Sequence, residues 1–213
     1  MARGAVLCGM GMGPNNAALA IPCERYYGIC GSEIISGSSR HPDDRVYPVS
    51  DEIHDKSIAM NRVSWLIRKG DVVLLNKPAE ATTEVTFTFR EGHLSNGSTG
   101  RILFVTSGQD TPPPLNMPAV SEQPGSCTSS YHSSSSLTLA PLGDTGVSSA
   151  AIHFSLTQIP HRARQHKRSY GGAEYIEAKV NLTLKVYHDN RVDVSLVSQG
   201  IWLGGFQSPL STA

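Results

Sequence analysis

The sequence predicts a mainly β protein, an antiparallel β-sandwich of jelly-roll type with at most one or two short helices. The first observation is that apolar residues occupy every second position from Val180 to Val186 and again from Val192 to Leu196. The polar, turn-forming residues 188–191 separate the two runs. A period of two on both sides of a polar turn is typical of an antiparallel hairpin with one buried face.

Composition is the second observation. The chain has 213 residues, enough for one large domain or two small ones with a substantial core. Its 20 glycines and 13 prolines favour a loop-rich sandwich or barrel over a helical bundle. Only 17% of residues are charged, and 18 Lys and Arg balance 18 Asp and Glu. This neutrality argues against binding nucleic acid through an overall positive field, and it is compatible with self-association.

The N-terminal region differs from the rest of the chain. Gly and Pro interrupt almost every short apolar run in residues 1–50, which predicts an extended N-terminal arm. A single sandwich domain is then expected over 51–213. Asp51 indicates the start of a short helix and residues 68–70 its end, although residues 63–67 alternate as a strand does. We expect a short helix that runs into a strand continuing to Leu75.

A second hairpin is expected next. Residues 84–90 alternate between apolar and polar side chains, and residues 102–106 provide a return strand. Asn96-Gly97 between them is the strongest short signal for a hairpin turn.

A long loop follows this hairpin. Residues 109–136 are rich in proline and serine, which predicts a long connection without regular structure. Further strands are expected at Leu137–Leu139 and Ile152–Ile159.

The cysteines and the N-terminus narrow the class of protein. The cysteines at positions 8, 23, 30 and 127 form no CxxC pair, so we expect buried thiols and neither a metal site nor a disulfide framework. No cofactor is expected. The first residues lack the apolar segment of a signal peptide, and no run of 18 apolar residues spans a membrane.

One catalytic alternative rests on Asp144-Thr145-Gly146. This triplet is similar to the active-site triplet of homodimeric retroviral aspartic proteases, in which two carboxylates activate a water molecule. Gly171-Gly172 and Trp202-Leu203-Gly204 lie roughly where that family carries its flap and its late apolar motif. Gly143 stands where the family has an apolar strand residue, and a turn is the favoured interpretation. We therefore expect no enzyme, and keep Asp144 as an alternative only.

The only basic run of the chain spans residues 161–168. It contains four Lys or Arg residues in eight positions, and such a run can neutralise several phosphates. The alternatives are a solvated loop, a contact with acidic lipid headgroups, or a contact with a neighbouring copy. The residues expected to contact nucleic acid are Arg162, Arg164, His166, Lys167 and Arg168.

With the arm, the paired strands between residues 72 and 205 and the basic run, the chain resembles the small coat proteins of icosahedral viruses. The resemblance implies a jelly-roll capsid subunit whose partners are copies of itself and an RNA or DNA genome. It also implies location in the virion, with assembly in the host cytoplasm. Many such coats begin with a strongly basic arm, whereas this N-terminus is nearly neutral, so packaging would use polyamines or residues 161–168.

Three alternatives remain open. A viral matrix protein would also self-associate, and its basic run would contact a membrane or a nucleocapsid. A carbohydrate- or ligand-binding sandwich could stack sugars on Trp65 and Trp202. The third alternative is the protease that uses Asp144.

Overall fold

The structure, a computed structural model, describes residues 20–34, 46–47, 58–111, 140–141, 147–169 and 172–209. Over these ranges the chain is mainly antiparallel β-sheet, as predicted. The strands are β1 (Ala20–Pro22), β2 (Tyr26–Ile34), β3 (Val46–Tyr47), β4 (Ile58–Ile67), β5 (Val72–Leu74), β6 (Ala79–Phe89), β7 (Thr99–Ser107), β8 (Ala140–Pro141), β9 (Val147–Ser155), β10 (Arg164–Arg168), β11 (Glu174–Val186), β12 (Arg191–Ser198) and β13 (Ile201–Pro209). The described helices are α1 (Glu91–Ser95) and two 3₁₀ turns, Leu156–Gln158 and His161–Ala163. None of them is long enough to cross a membrane.

Two large antiparallel sheets and one small sheet organise these strands. The first large sheet has six strands in the order β3-β4-β2-β7-β9-β8. In the second, of five strands, β6 pairs with one edge of β11, while β10 and β12 pair with successive parts of its other edge. β13 continues this sheet beyond β12, and β1 pairs with β5 to form the small sheet.

The hairpin of β11 and β12 is confirmed, with the buried face that the alternation predicts. Val180 and Leu182 are fully buried, whereas Lys179 and Asn181 are exposed. The turn closes where Asn190 adopts a left-handed backbone conformation (φ 61°), which asparagine tolerates better than most residues.

The two large sheets pack face to face around a common core. Phe87 of β6 contacts Phe154 of β9 edge-to-face, with 5.0 Å between ring centroids, and Phe104 of β7 contacts Phe206 of β13 in the same way at 5.4 Å. One hydrophobic cluster includes residues of both sheets, so the mainly β, sandwich-like class is confirmed. The jelly-roll strand order is not confirmed, since β11, β12 and β13 follow one another as neighbours in a single sheet.

The six-stranded sheet is apolar on both faces. On β7, Phe104 packs into the sandwich core and its neighbour Val105 points to the opposite face, yet both are fully buried. Val105 belongs to a separate cluster of buried residues, which comprises Cys30, Val63, Val105 and Val147. A sheet buried on both faces carries continuous apolar runs in place of an alternating pattern.

The short helix expected to run into a strand is absent from residues 58–67, whereas the strand alternation of residues 63–67 is confirmed. Residues 58–67 form β4, which pairs with β2 and buries Val63 and Ile67. Pairing and burial therefore favour the alternation over the helix-end signal. Gly70, with a φ of 92°, lies in a turn between β4 and β5, so the strand does not continue to Leu75.

The hairpin expected between residues 84–90 and 102–106 is also wrong. β6 pairs with β11, whereas β7 pairs with β2 and β9, so the two segments lie in different sheets. α1 separates them, and Gly97 (φ 65°) follows the helix and donates its N–H to the carbonyl of Leu94 at 3.4 Å. Asn96 and Gly97 thus follow the end of a helix. A glycine at this place adopts a positive φ, as a glycine in a hairpin turn does.

The boundary between an arm (1–50) and a sandwich (51–213) does not hold for β2. This strand lies between β4 and β7 in the six-stranded sheet, and its Tyr27 is fully buried. Gly28 interrupts the apolar pattern for a structural reason: a Cβ at this position would collide with the carbonyl of Ser64 on β4. Most of the loop expected at 109–136, and the strand expected at 137–139, lie outside the described residues.

β9 covers only the first part of the strand expected at Ile152–Ile159. It starts earlier, at Val147, and ends at Ser155. The Ser155 hydroxyl accepts a hydrogen bond from the N–H of Thr157 at 3.3 Å, which caps the 3₁₀ turn that follows.

The prediction of buried thiols is confirmed for the two cysteines that the structure describes. Cys23 and Cys30 are buried and form no disulfide. Burial raises the pKa of each thiol to about 11. Cys8 and Cys127 lie outside the described residues.

Candidate association surface

The strand that carries the basic run divides its side chains between two faces. Residues 164–168 form β10, opposite residues 174–178 of β11. Because side chains alternate along a strand, Lys167 lies on the outer face, while Arg164, His166 and Arg168 lie on the other side. The predicted contact residues on this strand are therefore divided between its two faces, with Lys167 apart from the other three.

Two of these cations are paired with carboxylates. Lys167 Nζ lies 2.7 Å from Glu177 Oε1, and Arg168 Nη2 lies 2.7 Å from Glu174 Oε1. The Arg168 guanidinium lowers the pKa of the Glu174 carboxyl, so both groups are charged at neutral pH. Such exposed pairs stabilise the fold only weakly, but they reduce the positive charge available to a phosphate.

The other three residues have different environments. The Arg164 guanidinium donates to the carbonyl of Ile159 from Nε at 3.0 Å and from Nη2 at 2.7 Å, which fixes the preceding 3₁₀ turn to the strand. Arg162 Nη2 donates to the carbonyl of Gln199 at 3.0 Å, and His166 is exposed. Neither Arg162 nor His166 is ion-paired with a carboxylate among the described residues. Arg162 and Arg164 thus bind backbone carbonyls without a carboxylate partner among the described residues, and His166 is an exposed histidine.

The catalytic alternative stays a prediction. Asp144, Thr145 and Gly146 lie outside the described residues. Gly172 lies in the connection between β10 and β11, and Trp202 and Leu203 begin β13. Within the described ranges, no group of three His, Cys, Asp or Glu residues could hold a metal ion.

The outer face of the five-stranded sheet is a polar surface built from directly opposed residues. Its three rows across β6, β11, β12 and β13 are Glu80-Lys185-Asp193-Gln207, Thr82-Thr183-Ser195-Gly205 and Glu84-Asn181-Val197-Trp202. Lys185 Nζ lies 3.6 Å from Glu80 Oε2, and the hydroxyls of Thr82 and Thr183 lie 3.2 Å apart. Opposite charges and hydroxyls are thus matched across the strands, as in other stable sheets.

The edge strand β13 is the exception to this polar surface. Ile201 is 44% exposed and Trp202 is 64% exposed. A bulge opposite Leu196 and Val197 shifts the register, so that Leu203 is buried while Trp202 points outward. Among the described strands β13 pairs only with β12, and its other edge presents unpaired backbone groups.

A second exposed apolar site lies at the connection from β5 to β6. Val72 and Leu75 are each 53% exposed. Neither this pair nor Ile201 was predicted from the sequence as a functional residue, and Trp202 was predicted only as a residue that could stack on sugar. The available signal was the run Val72-Val73-Leu74-Leu75, because a strand that alternates between faces cannot bury four consecutive apolar side chains on one side.

Comparison with known proteins gives one match. Residues 22–123 are similar to a family described as a domain of unknown function (DUF8568). The matched segment includes the β5 region and strands of both large sheets, and it ends before β9 to β13. No curated protein and no solved structure matches the chain.

Proposed function

We propose that this protein is a self-assembling coat subunit of the kind that builds icosahedral virus shells, with the edge of β13 joining its copies. The observation that carries the proposal is that nine-residue edge, on which Ile201 and Trp202 are exposed. An apolar edge strand with unpaired backbone groups is a template for another chain.

Burial of Trp202 would contribute much of the association free energy. A tryptophan buries roughly 150–250 Å² when it is fully covered. With 64% of the residue exposed, covering it would contribute roughly 3 kcal/mol at about 25 cal/mol per Å². Backbone hydrogen bonds between paired edges would fix the register.

The other sheet edges carry features that discourage pairing, which supports β13 as the association site. The described edges of the six-stranded sheet are β3 and β8, with two residues each. β6 is longer, but it carries Glu80 and Glu84. Short strands and charged side chains are common protections of sheet edges, and β13 contains no charged residue.

The net charge also supports association. With 18 Lys and Arg against 18 Asp and Glu, copies of the chain do not repel one another through an overall field. The same neutrality means that contact with a genome must be local.

For that local contact we propose Arg162 and His166. Neither residue has a carboxylate partner among the described residues. His166 is exposed, and the Arg162 guanidinium makes one hydrogen bond, to the Gln199 carbonyl, whereas the Arg164 guanidinium is fixed by three bonds to the preceding turn. Particles of Arg162→Ala/His166→Ala should contain less nucleic acid than the wild type, as measured by ultraviolet absorbance. Lys167→Ala is the matched control, since Lys167 is already paired with Glu177.

The test of the coat proposal is the size of the purified protein. Light scattering on a gel-filtration column, with negative-stain images of the leading peak, should show a discrete particle of many copies. A species of one or two copies of the 22.8 kDa chain, under conditions from dilute to concentrated protein, would contradict the proposal.

A carbohydrate-binding sandwich is the second candidate function. Trp202 stands at the end of a row that contains Asn181, beside a row that ends in Gly205, and a flat polar surface with one exposed indole suits a sugar ring. Titration of the monomer with neutral oligosaccharides, followed by tryptophan fluorescence, would show saturable binding that Trp202→Ala abolishes. Absence of such binding would contradict the carbohydrate-binding candidate.

A further inference from the structure

Large apolar side chains are highly exposed at only two sites among the described residues. One is the β13 edge with Ile201 and Trp202, and the other is the pair Val72 and Leu75, here called the β5 corner. Single exposed apolar residues are normal on a protein surface, whereas exposed apolar residues that are grouped indicate an interaction site.

The β5 corner is held in place by hydrogen bonds on both sides. The N–H of Cys23 donates to the carbonyl of Asp71 at 2.7 Å, and the N–H of Gly70 donates to the carbonyl of Cys23 at 2.8 Å. Leu74 and Lys77 exchange two backbone hydrogen bonds, each of 3.2 Å. A preformed surface of this kind loses little conformational entropy when a partner covers it.

The two sites lie at opposite edges of the five-stranded sheet. The β5 corner leads directly into β6, whose first residue pairs with Val186 at the end of β11. Trp202 lies on the edge strand beyond β12, opposite Val197. Three inter-strand spacings of roughly 4.8 Å place β13 about 14 Å from β6 across the sheet. The row of Trp202 meets β6 at Glu84, five residues after Ala79, which adds roughly 17 Å along the strands.

Their chemistry is complementary. The β13 edge presents the Trp202 indole on the outer face and Ile201 on the opposite face of the strand, and the β5 corner presents two aliphatic side chains with Lys77 exposed beside them. No carboxylate is paired with Lys77 in the described structure. An indole face binds aliphatic groups and an ammonium group at the same time.

We propose that copies of the chain associate head to tail, with the β5 corner of one copy covering the β13 edge of the next. This inference rests on the proposed coat function for the existence of self-association and adds the partner surface. A two-fold contact between two β13 edges would leave both β5 corners exposed. A head-to-tail contact covers the β13 edge of one copy with the β5 corner of the next, and its repeats form a ring where the rotation closes and an open filament where it does not.

The test uses two variants that each lack one site. Trp202→Ser removes the β13 site, and Val72→Ser/Leu75→Ser removes the β5 corner; all three positions are exposed, so the fold should survive. Each variant alone should be monomeric by light scattering. An equimolar mixture should form a heterodimer of about twice the 22.8 kDa chain mass, since each variant contributes its one intact site.

The outcomes separate this inference from the coat proposal. If Val72→Ser/Leu75→Ser assembles like the wild type while Trp202→Ser does not, the head-to-tail inference is wrong and the coat proposal stands. If the wild type is itself monomeric, both are wrong. Thr86→Ser, an exposed change on β6 outside both sites, is the matched control and should assemble normally.

Cross-linking provides a second measurement on intact assemblies. In a background with Cys8→Ser and Cys127→Ser, Leu75→Cys chains mixed with Ile201→Cys chains should form disulfides between the two variants. Disulfides formed mainly between two Ile201→Cys chains would overturn the head-to-tail arrangement in favour of a two-fold contact.

Discussion

The two large sheets share one core, but their outer faces differ. On the five-stranded sheet the outer face carries opposed charges and hydroxyls, such as Lys185 with Glu80 and Thr183 with Thr82. On the six-stranded sheet the outer face buries an apolar cluster that includes Val105 and Val147. The five-stranded sheet is therefore buried on one face, whereas the six-stranded sheet is buried on both faces around this cluster, and identical changes should have very different effects at the two places.

The two outer faces should differ most in the loss of stability that a newly introduced charged side chain causes. Val105→Asp would place a carboxylate at a fully buried position, which should destabilise the protein by more than about 4 kcal/mol and prevent folding. Thr183→Asp, on the outer face of the five-stranded sheet between Lys179 and Lys185, should change the free energy of unfolding by less than about 1 kcal/mol. Urea denaturation followed by circular dichroism measures both. Normal stability of Val105→Asp would show that the outer face of the six-stranded sheet is open.

A smaller difference is expected between two glycines of β2. A Cβ at Gly28 would collide with the carbonyl of Ser64, whereas a Cβ at Gly31 would have no neighbour within 4 Å. Gly28→Ala should lower the free energy of unfolding by about 2 kcal/mol or more, since the paired strand must move. Gly31→Ala should leave it unchanged or raise it slightly. Equal effects in thermal denaturation would contradict the close approach of β2 and β4.

The two described thiols lie in different apolar clusters, one in the sandwich core and the other on the outer face of the six-stranded sheet. Cys23 lies in the first and Cys30 in the second, and burial raises the pKa of both from 9.0 to about 11. Folding thus favours the protonated thiols, so stability should be constant below about pH 9 and fall as the pH rises from 9 towards 11.

The measurement is the rate of thiol modification at pH 8 in a Cys8→Ser/Cys127→Ser background. The folded protein should react about 100-fold more slowly than the urea-unfolded chain, because two pKa units reduce the thiolate fraction by that factor. Fast modification of Cys30 alone would show that the outer cluster opens.

The smallest effect concerns the exposed ion pairs of the polar face. Lys179 Nζ lies 2.6 Å from Glu84 Oε1, and the carboxylate raises the pKa of the Lys179 amine. Glu84→Gln should lower the free energy of unfolding only slightly, and by still less at high salt. A large loss of stability in denaturant titrations would mean that this face is buried.

The same contrast explains how much of the fold was predictable. The β11–β12 hairpin could be derived from its alternation because one face is solvated. β2 could not, since both faces are buried and its glycines resemble loop residues. The Asn96-Gly97 pair was predicted to close a hairpin, and Gly97 does adopt a positive φ, but local sequence does not reveal whether such a glycine closes a hairpin or ends a helix.

The candidate surfaces were predictable only in part. The basic run is visible in the sequence, but the pairing of Lys167 with Glu177 depends on the register of β10 against β11. Trp202 stands out by its residue type, whereas its exposure depends on the bulge and on the edge position of β13. Contacts between strands that are distant in sequence decide both cases, and alternation alone does not encode them.

The most direct test of the central claim is the molar mass of the wild type and of Trp202→Ala, compared by light scattering at equal concentrations. Assembly through the β13 edge predicts a particle of many copies for the wild type and the 22.8 kDa monomer for a folded Trp202→Ala. Particles of equal mass for both proteins would contradict the assignment of this edge as the association site.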